Sequence, residues 1–403
     1  ILRLDVQFQN QPSNVADAWG KCCFWSQMSG SGSMVDYESL YRDHIQQFKI
    51  SHDGIQAIGI CPLYRASQLQ GTSAGIDSSV LFLVYNKTLK QYLLRAIKEL
   101  ELSDSNANNW HKWFYTFYYQ TTGEKVPGKS FNPDWEIVNE KLKDNSSVIN
   151  HLIIDEAQDL PKGLMELLKR ISNQATIFAD ENQRIDSHST PLAEITNAFD
   201  VPGKVYYLSK NYRNTDEVAN VSQLFYTGGI GDIPARANKH GEKPKAIKTG
   251  GFDKTISLIS EYADNFLEKN IGIILPPRGR KVTRYYNALM EAVSEAKVQL
   301  YKYNTSEEFN FDEDGLKIMT NESVKGLEFD TVFILELDNN YYQDRGEKKV
   351  NKMYVCCSRA KGDLILMYET DNNASFALKQ IEDNKELFSF IDVGQSESGR
   401  ELF

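Results

Sequence analysis

Two carboxylates, Asp155 and Glu156, stand at the end of the apolar run Leu152, Ile153 and Ile154. The run has no helical periodicity and reads as a buried parallel strand. Carboxylates at the carboxyl end of such a strand lie on the edge where open α/β sheets bind ligands. One of the pair can hold Mg²⁺, and the other can orient or deprotonate a water. Gln158 and Asp159 follow, then a predicted helix over 161–171 with Pro161 near its first position. A bare Asp–Glu pair also fits a strand that ends in a polar turn. The run DEAQD directly after an apolar strand is more specific than that.

The elements that must position these groups have to come from a chain of 403 residues, long enough for two or three domains with real cores. With 41% hydrophobic residues, 21 Tyr and 20 Phe, the composition is that of a globular protein. The sequence shows no apolar run of membrane-spanning length and no signal-peptide layout at its start, so no membrane is expected. The cysteines (Cys22, Cys23, Cys61, Cys356, Cys357) show no CxxC spacing and no matched histidines. That argues against a zinc site and fits a reducing cytoplasm, the expected location. A net charge of −10 argues against tight, static DNA binding, because such affinity comes from Lys and Arg on phosphates. A local basic groove remains compatible with it.

DEAQD resembles the Walker B box of superfamily I helicases of the UvrD/Rep type, and the rest of the chain matches the family in order. SSVLFLVYNKTLKQYL, from Ser78, resembles motif Ia, with Asn86, Lys87 and Thr88 where the family touches single-stranded DNA. NNWHKWFYTFYYQ, from Asn108, stands at motif Ic. The resemblance makes His111 a DNA-facing residue, while most of the other rings read as core. The strand 175–180 leads into ADENQ, similar to motif III. That makes Asp180 a nucleotide-site residue and Gln183 the bridge from the γ-phosphate to the DNA groove. The family's aromatic wedge after this Gln is replaced by Arg184, Ile185, Asp186 and Ser187. NYRN resembles motif IV, with Arg213 as a γ-phosphate ligand. Thr215 or Asp216 is the expected cap of the helix that follows.

TNESVKGLEFD resembles motif V. There Lys325 and Gly326 form a tight turn, Lys325 lies on the nucleic-acid side, and Gly326 and Glu328 meet the nucleotide. Glu322 stands near the place of the family's usual His. MYVCCSRAKGDLILMY resembles motif VI, which makes Arg359 the arginine finger. Strands over 271–275, 316–320, 330–335 and 364–368, with helices over 254–267 and 282–296, predict a second parallel sheet. The stretch from Asn214 to Thr320 leaves no room for the large accessory domain usual in the family.

The family's Walker A loop does not appear between the expected strand 54–61 and the helix 62–70. Either a segment is missing from the sequence at Cys61–Pro62, or the protein lacks the loop and binds ATP poorly. GEKVPGKS, 123–130, satisfies GxxxxGK[ST] letter for letter. No apolar strand precedes it and Pro133 follows, so it reads as a polar surface loop.

The resemblance, over about residues 45–370, implies an α/β protein with two RecA-like parallel-sheet domains, the P-loop NTPase helicase core, and the ATP site between them. The expected organisation is a segment of unclear role over 1–40 containing a small-residue run at 29–33, a first domain over 41–203, and a second over 204–403 with a tail. The implied cofactors are ATP and Mg²⁺, the latter on Asp155. The implied partner is single-stranded or tailed DNA. The expected function is an ATP-dependent DNA helicase or translocase, moving 3′ to 5′, in DNA repair or anti-phage defence. The alternative is an ATPase-deficient nucleic-acid-binding scaffold in a nuclease or defence complex.

Overall fold

The computed structural model describes residues 2–7, 80–85, 107–129, 132–145, 149–180, 190–200, 205–207, 211, 213–226, 239–277, 279–301, 313–339, 341, 347–370 and 375–393. The chain divides into two compact units, one of residues 1–181 and 186–208, the other of residues 182–185 and 209–403.

The first unit is built on a six-stranded sheet. Its strands are β1 (Leu2–Gln7), β2 (Val80–Val84), β3 (Ala107–Asn109), β6 (Ile149–Ile154), β7 (Ser172–Ala179) and β8 (Val205–Tyr207), in the order β3-β2-β6-β7-β1-β8. The run β3-β2-β6-β7 is parallel. A small antiparallel pair, β4 (Gly128–Lys129) with β5 (Asn132–Pro133), stands outside it. The helices are α1 (Trp110–Thr122), α2 (Trp135–Lys141), α3 (Lys162–Ile171) and α4 (Leu192–Ala198).

β6 carries the apolar run Leu152–Ile154 through the middle of this sheet, fully buried, as a strand covered on both faces must be. α3 packs beneath it because Leu164, Leu167, Leu168 and Ile171 recur at helical spacing and make one buried stripe. Gly163 lets α3 approach Trp135, since a Cβ there would lie 2.3 Å from the indole Cγ. The aromatic helix α1 follows the expected division: Trp110, Phe114 and Tyr118 are core, while Tyr119 is exposed.

One feature of this sheet departs from a purely parallel expectation. β1 runs antiparallel between β7 and β8 and pairs with both. The strand falls in the segment 1–40, whose role the sequence leaves unclear, and Leu2, Leu4 and Val6 alternate with polar residues as a strand requires.

The second unit has a seven-stranded, all-parallel sheet in the order β11-β12-β10-β13-β14-β9-β15. These are β9 (Lys245–Lys248), β10 (Asn270–Leu275), β11 (Val298–Leu300), β12 (Gly315–Thr320), β13 (Phe329–Ile334), β14 (Ala360–Tyr368) and β15 (Ser389–Asp392). Helices α5 (Asp216–Gln223), α6 (Phe252–Asn265), α7 (Gly279–Ala292), α8 (Glu347–Cys357) and α9 (Phe376–Asp383) accompany it. Alternation along the strands divides the core into two layers. Ile274, Val332, Ile334, Leu364 and Leu366 join α5, α8 and α9 on one side. Ile273, Phe333, Ile365 and Met367 join α6 and α7 on the other. Two covered faces explain why these strands read as near-continuous apolar runs.

Asp264, at the end of α6, accepts hydrogen bonds from the backbone N–H groups of Ser294 (2.9 Å), Glu295 (3.0 Å) and Ala296 (3.2 Å). Burial acts to raise its pKa, but these donors outweigh it and hold the carboxyl below its ordinary value. A lowered folded pKa contributes stability that is full above the unfolded pKa and is lost as pH falls through the folded one. Asp264→Ala is therefore expected to lower stability at pH 7 by about 1 kcal/mol or less, solvent screening weakening bonds at a partly exposed carboxyl, with the deficit shrinking below about pH 4. Melting curves of both proteins from pH 7 to 3 check this. A deficit that stays constant with pH would contradict it.

Among the described residues, no helix is long and apolar enough to cross a membrane.

Candidate functional site

In the first unit the chemistry gathers at the carboxyl end of β6. Asp155 continues the strand, its N–H donating to the Leu83 carbonyl at 3.0 Å. Its Oδ1 accepts from the Glu156 N–H at 3.0 Å, which turns the chain sharply out of the sheet. Glu156 takes φ 55° and ψ 43°, the left-handed region that non-glycine residues enter only under local constraint. A short turn over Ala157–Asp159 follows, and Pro161 occupies the cap position of α3. Both carboxylates are buried.

Gln158 ties this turn together. Its Nε2 donates to Glu156 Oε2, its Oε1 accepts from the Asp180 N–H at 2.9 Å, and its carbonyl accepts from the Thr190 N–H at 2.7 Å. The ends of β6 and β7 are thus joined through one side chain. The sequence marks Gln158 only by its place two residues after Glu156 in DEAQD.

Asp155 fits a Mg²⁺ ion of the kind held by one or two carboxylates together with phosphate oxygens. Among the described residues no group of three acidic, His or Cys side chains makes a cation site of its own.

The nucleic-acid candidates of this unit are divided. Asn86, Lys87 and Thr88 lie outside the described residues, as do Gln183 and the Cys61–Pro62 junction. His111 is described. Asn109 caps α1 through Oδ1 and sends its Nδ2 to the Tyr85 carbonyl at 2.5 Å. That bond joins the end of β2 to the start of α1, where the His111 ring packs on Tyr115 at 4.2 Å between centroids.

GEKVPGKS does not form a phosphate loop over its described part. Gly123 is the left-handed C-cap of α1, and Gly128 and Lys129 make an exposed edge paired to Asn132 and Pro133. Asp134 then caps α2. A phosphate loop joins a buried strand to a helix, and neither flank here is a buried strand. Lys129→Ala is expected to leave ATP affinity within about twofold of the parent, the range of an ordinary surface change. A larger loss in a nucleotide titration would reverse this reading.

In the second unit, motifs far apart in sequence meet. Arg213 and Glu328 form a largely buried ion pair. Thr215, the first of the two expected cap residues, caps α5 through its Oγ1 to the Val218 N–H. Asn214, unnoticed in the sequence, donates from Nδ2 to the Ser358 carbonyl at 3.0 Å and to the Ala360 carbonyl at 2.5 Å. NYRN is thereby latched to the SRA segment. Gly326 has φ 79°, which makes the turn after Lys325 possible, and Lys325 itself is buried. Glu322 reaches Lys352 on α8 at 3.0 Å.

Arg359 is placed differently from a side chain held out toward a phosphate. It is fully buried. Its Nε donates to the Val355 carbonyl at 2.9 Å, and its Nη groups donate to the Leu327 carbonyl at 3.4 Å and to Ser358 Oγ at 3.2 Å. In this arrangement the guanidinium braces motif VI against motif V. The adjacent Cys356 and Cys357 are also buried, and burial pushes the Cys356 thiol up to about 12.

Residues 278–371 match the UvrD-like helicase C-terminal domain. A protein described as a candidate ATP-dependent DNA helicase from Acanthamoeba polyphaga mimivirus is 27% identical over 253 residues, 57% of this chain and 36% of that protein. The chain thus spans little more than a third of the curated relative it matches. Among solved structures, the C-terminal domain of a possible DNA helicase from Lactobacillus plantarum WCFS1 is 20% identical, with TM-score 0.34, covering 45% of this chain and 98% of that one. The S. cerevisiae Dbp5 bound to RNA and ADP BeF3 is 12% identical, with TM-score 0.46, covering 85% of this chain and 84% of that one. Residues 278–371, which hold the KGLEFD and SRAK segments, thus resemble the C-terminal domain of UvrD-like helicases, and the chain is similar over 253 residues to a DNA-helicase-like relative.

Proposed function

We propose that this chain acts as the motor of an ATP-dependent DNA helicase or translocase that moves on single-stranded DNA, 3′ to 5′. The observation that carries the reading is the β6 terminus. Asp155 and Glu156 are buried there in a constrained turn, and the Glu156 carboxylate is held by Gln158. A constrained, buried carboxylate pair on a ligand-binding sheet edge is suited to phosphoryl transfer, which depends mainly on positioning and charge.

In this reading Asp155 would hold Mg²⁺, which would supply charge neutralisation on the phosphates. Glu156 orients the attacking water. Gln183 and Asp180 respond to the nucleotide, and Gly326 and Glu328 contact it. Arg213 and Arg359 supply positive charge as it develops on the phosphates. Asn86, Lys87, Thr88, His111 and Lys325 carry the DNA strand. DNA repair or anti-phage defence, with a nuclease or defence-complex partner, is the setting that suits such a motor.

A second reading has its own support. Both guanidiniums are engaged within the second unit, Arg213 with Glu328 and Arg359 with backbone carbonyls. A chain that kept these bonds permanently would be a nucleic-acid-binding scaffold and not a motor.

Displacement of streptavidin from biotinylated oligonucleotides separates the two. The motor reading expects ATP-dependent displacement from the 5′ end, reached by 3′-to-5′ movement, and little from the 3′ end. DNA binding that is indifferent to ATP, with no displacement from either end, would establish the scaffold instead.

A further inference from the structure

The bonds of Gln158 reach beyond holding a turn. It is fully buried, and its side-chain amide has one fixed neighbour and one chemical one. The fixed neighbour is the Asp180 N–H, at the end of β7. A backbone N–H only donates, so the amide oxygen must face it. The Nε2 group must then face Glu156, where it meets Oε2. The amide cannot flip without breaking both bonds, and no solvent reaches it to replace either. The orientation of the Glu156 carboxylate is therefore set from two directions: by the constrained backbone at φ 55°, and by a donor whose own position is set by β7.

We propose that Gln158 is the positioning residue for Glu156, and that it makes the aim of that carboxylate depend on where the end of β7 sits. This rests on the motor reading above for what the carboxylate does, but the linkage itself is a property of the fold. Gln158 touches no reacting atom in this account. It acts through Glu156. Movement of the β7 terminus by a fraction of an ångström would be passed through one rigid amide to the water-orienting oxygen. Misplacement on that scale is enough to change the rate of a positioned reaction.

The test uses Gln158→Leu, which keeps volume and burial but removes both bonds. The expected result is a tenfold or greater fall in kcat for ATP with KM within twofold. In a Glu156→Gln background the same change should add little further loss, because the group it positions is already gone. An unchanged kcat, a rise in KM that accounts for the whole loss, or full additivity in the double variant would overturn the proposal.

Hydrogen exchange at the Asp180 amide reads the linkage without turnover. It should be slow in the parent chain and at least tenfold faster in Gln158→Leu. It should also be faster in Glu156→Ala, where one end of the amide loses its anchor. Indifference of the Asp180 amide to Glu156→Ala would overturn the linkage even if turnover is normal. A parent chain with no ATPase but with Asp180 exchange that responds to Glu156→Ala would sink the motor reading and leave the linkage standing.

Discussion

Replacement of Glu156 by Gln is expected to reduce ATP turnover about 10²–10⁴-fold while leaving nucleotide affinity nearly unchanged. The substitution preserves shape and burial. Gln158 still meets an oxygen, because a Gln side chain at 156 can turn its carbonyl toward Nε2. What disappears is the negative charge and basicity that orient and deprotonate water. Binding should survive, since Asp155 is untouched. Steady-state ATPase assays beside a fluorescent-nucleotide titration check both halves. Turnover within a few-fold of the parent would remove Glu156 as the water-orienting group.

The second large effect is at Arg359. An arginine that meets developing charge on a transferring phosphate contributes about 10³–10⁵ in rate, so Arg359→Ala is expected to cut turnover by about a thousandfold or more. The structure adds a complication that the sequence did not suggest. Arg359 also bridges Val355 and Leu327, so the truncated chain loses both bonds, the Val355 carbonyl keeping its Ser358 hydroxyl donor, and loses stability by about 1–3 kcal/mol. The two roles separate in Arg359→Lys, which retains the charge and three donors on a single nitrogen but not the planar fork. Loss of turnover in Arg359→Lys with a melting temperature near the parent's supports the catalytic role. Loss of melting temperature with turnover intact would make Arg359 a brace only.

The legible parts of this fold were those whose signal is local. Leu152–Ile154 ended at Asp155 as an apolar run meeting a polar turn, and β10, β12, β13 and β14 of the second sheet announced themselves because both faces are covered, whereas the short β9, β11 and β15 did not. Thr215 was readable as a cap because a hydroxyl before a helical pattern satisfies an otherwise unpaired N–H. The parts that stayed hidden depend on partners distant in sequence. β1 alternates correctly, but its place between β7 and β8 is set by residues far along the chain. β3, Ala107–Asn109, is too short and polar to carry any strand signal. Gln158 gains its meaning from Asp180, and Asn214 from Ser358 and Ala360. Nothing in residue type marks a Gln or Asn as a bridge between motifs. Arg359 was legible by type and motif, but its surroundings were not. Its type suggested a group held out toward an anion, whereas its burial is a tertiary fact supplied by Leu327 and α8.

The charge of the chain bears on the DNA side of the account. With a formal net charge of −10, long-range attraction for a polyanion is weak, and contact must come from a local track. That suits a protein that steps and releases better than one that clamps.

The ATPase rate of the chain with and without single-stranded DNA separates a motor from a binding scaffold. A motor hydrolyses ATP, does so faster with DNA, and loses that hydrolysis in Glu156→Gln under the same conditions. A parent chain that binds single-stranded DNA but hydrolyses no ATP in its presence would contradict the motor reading and leave the helicase fold in the service of binding alone.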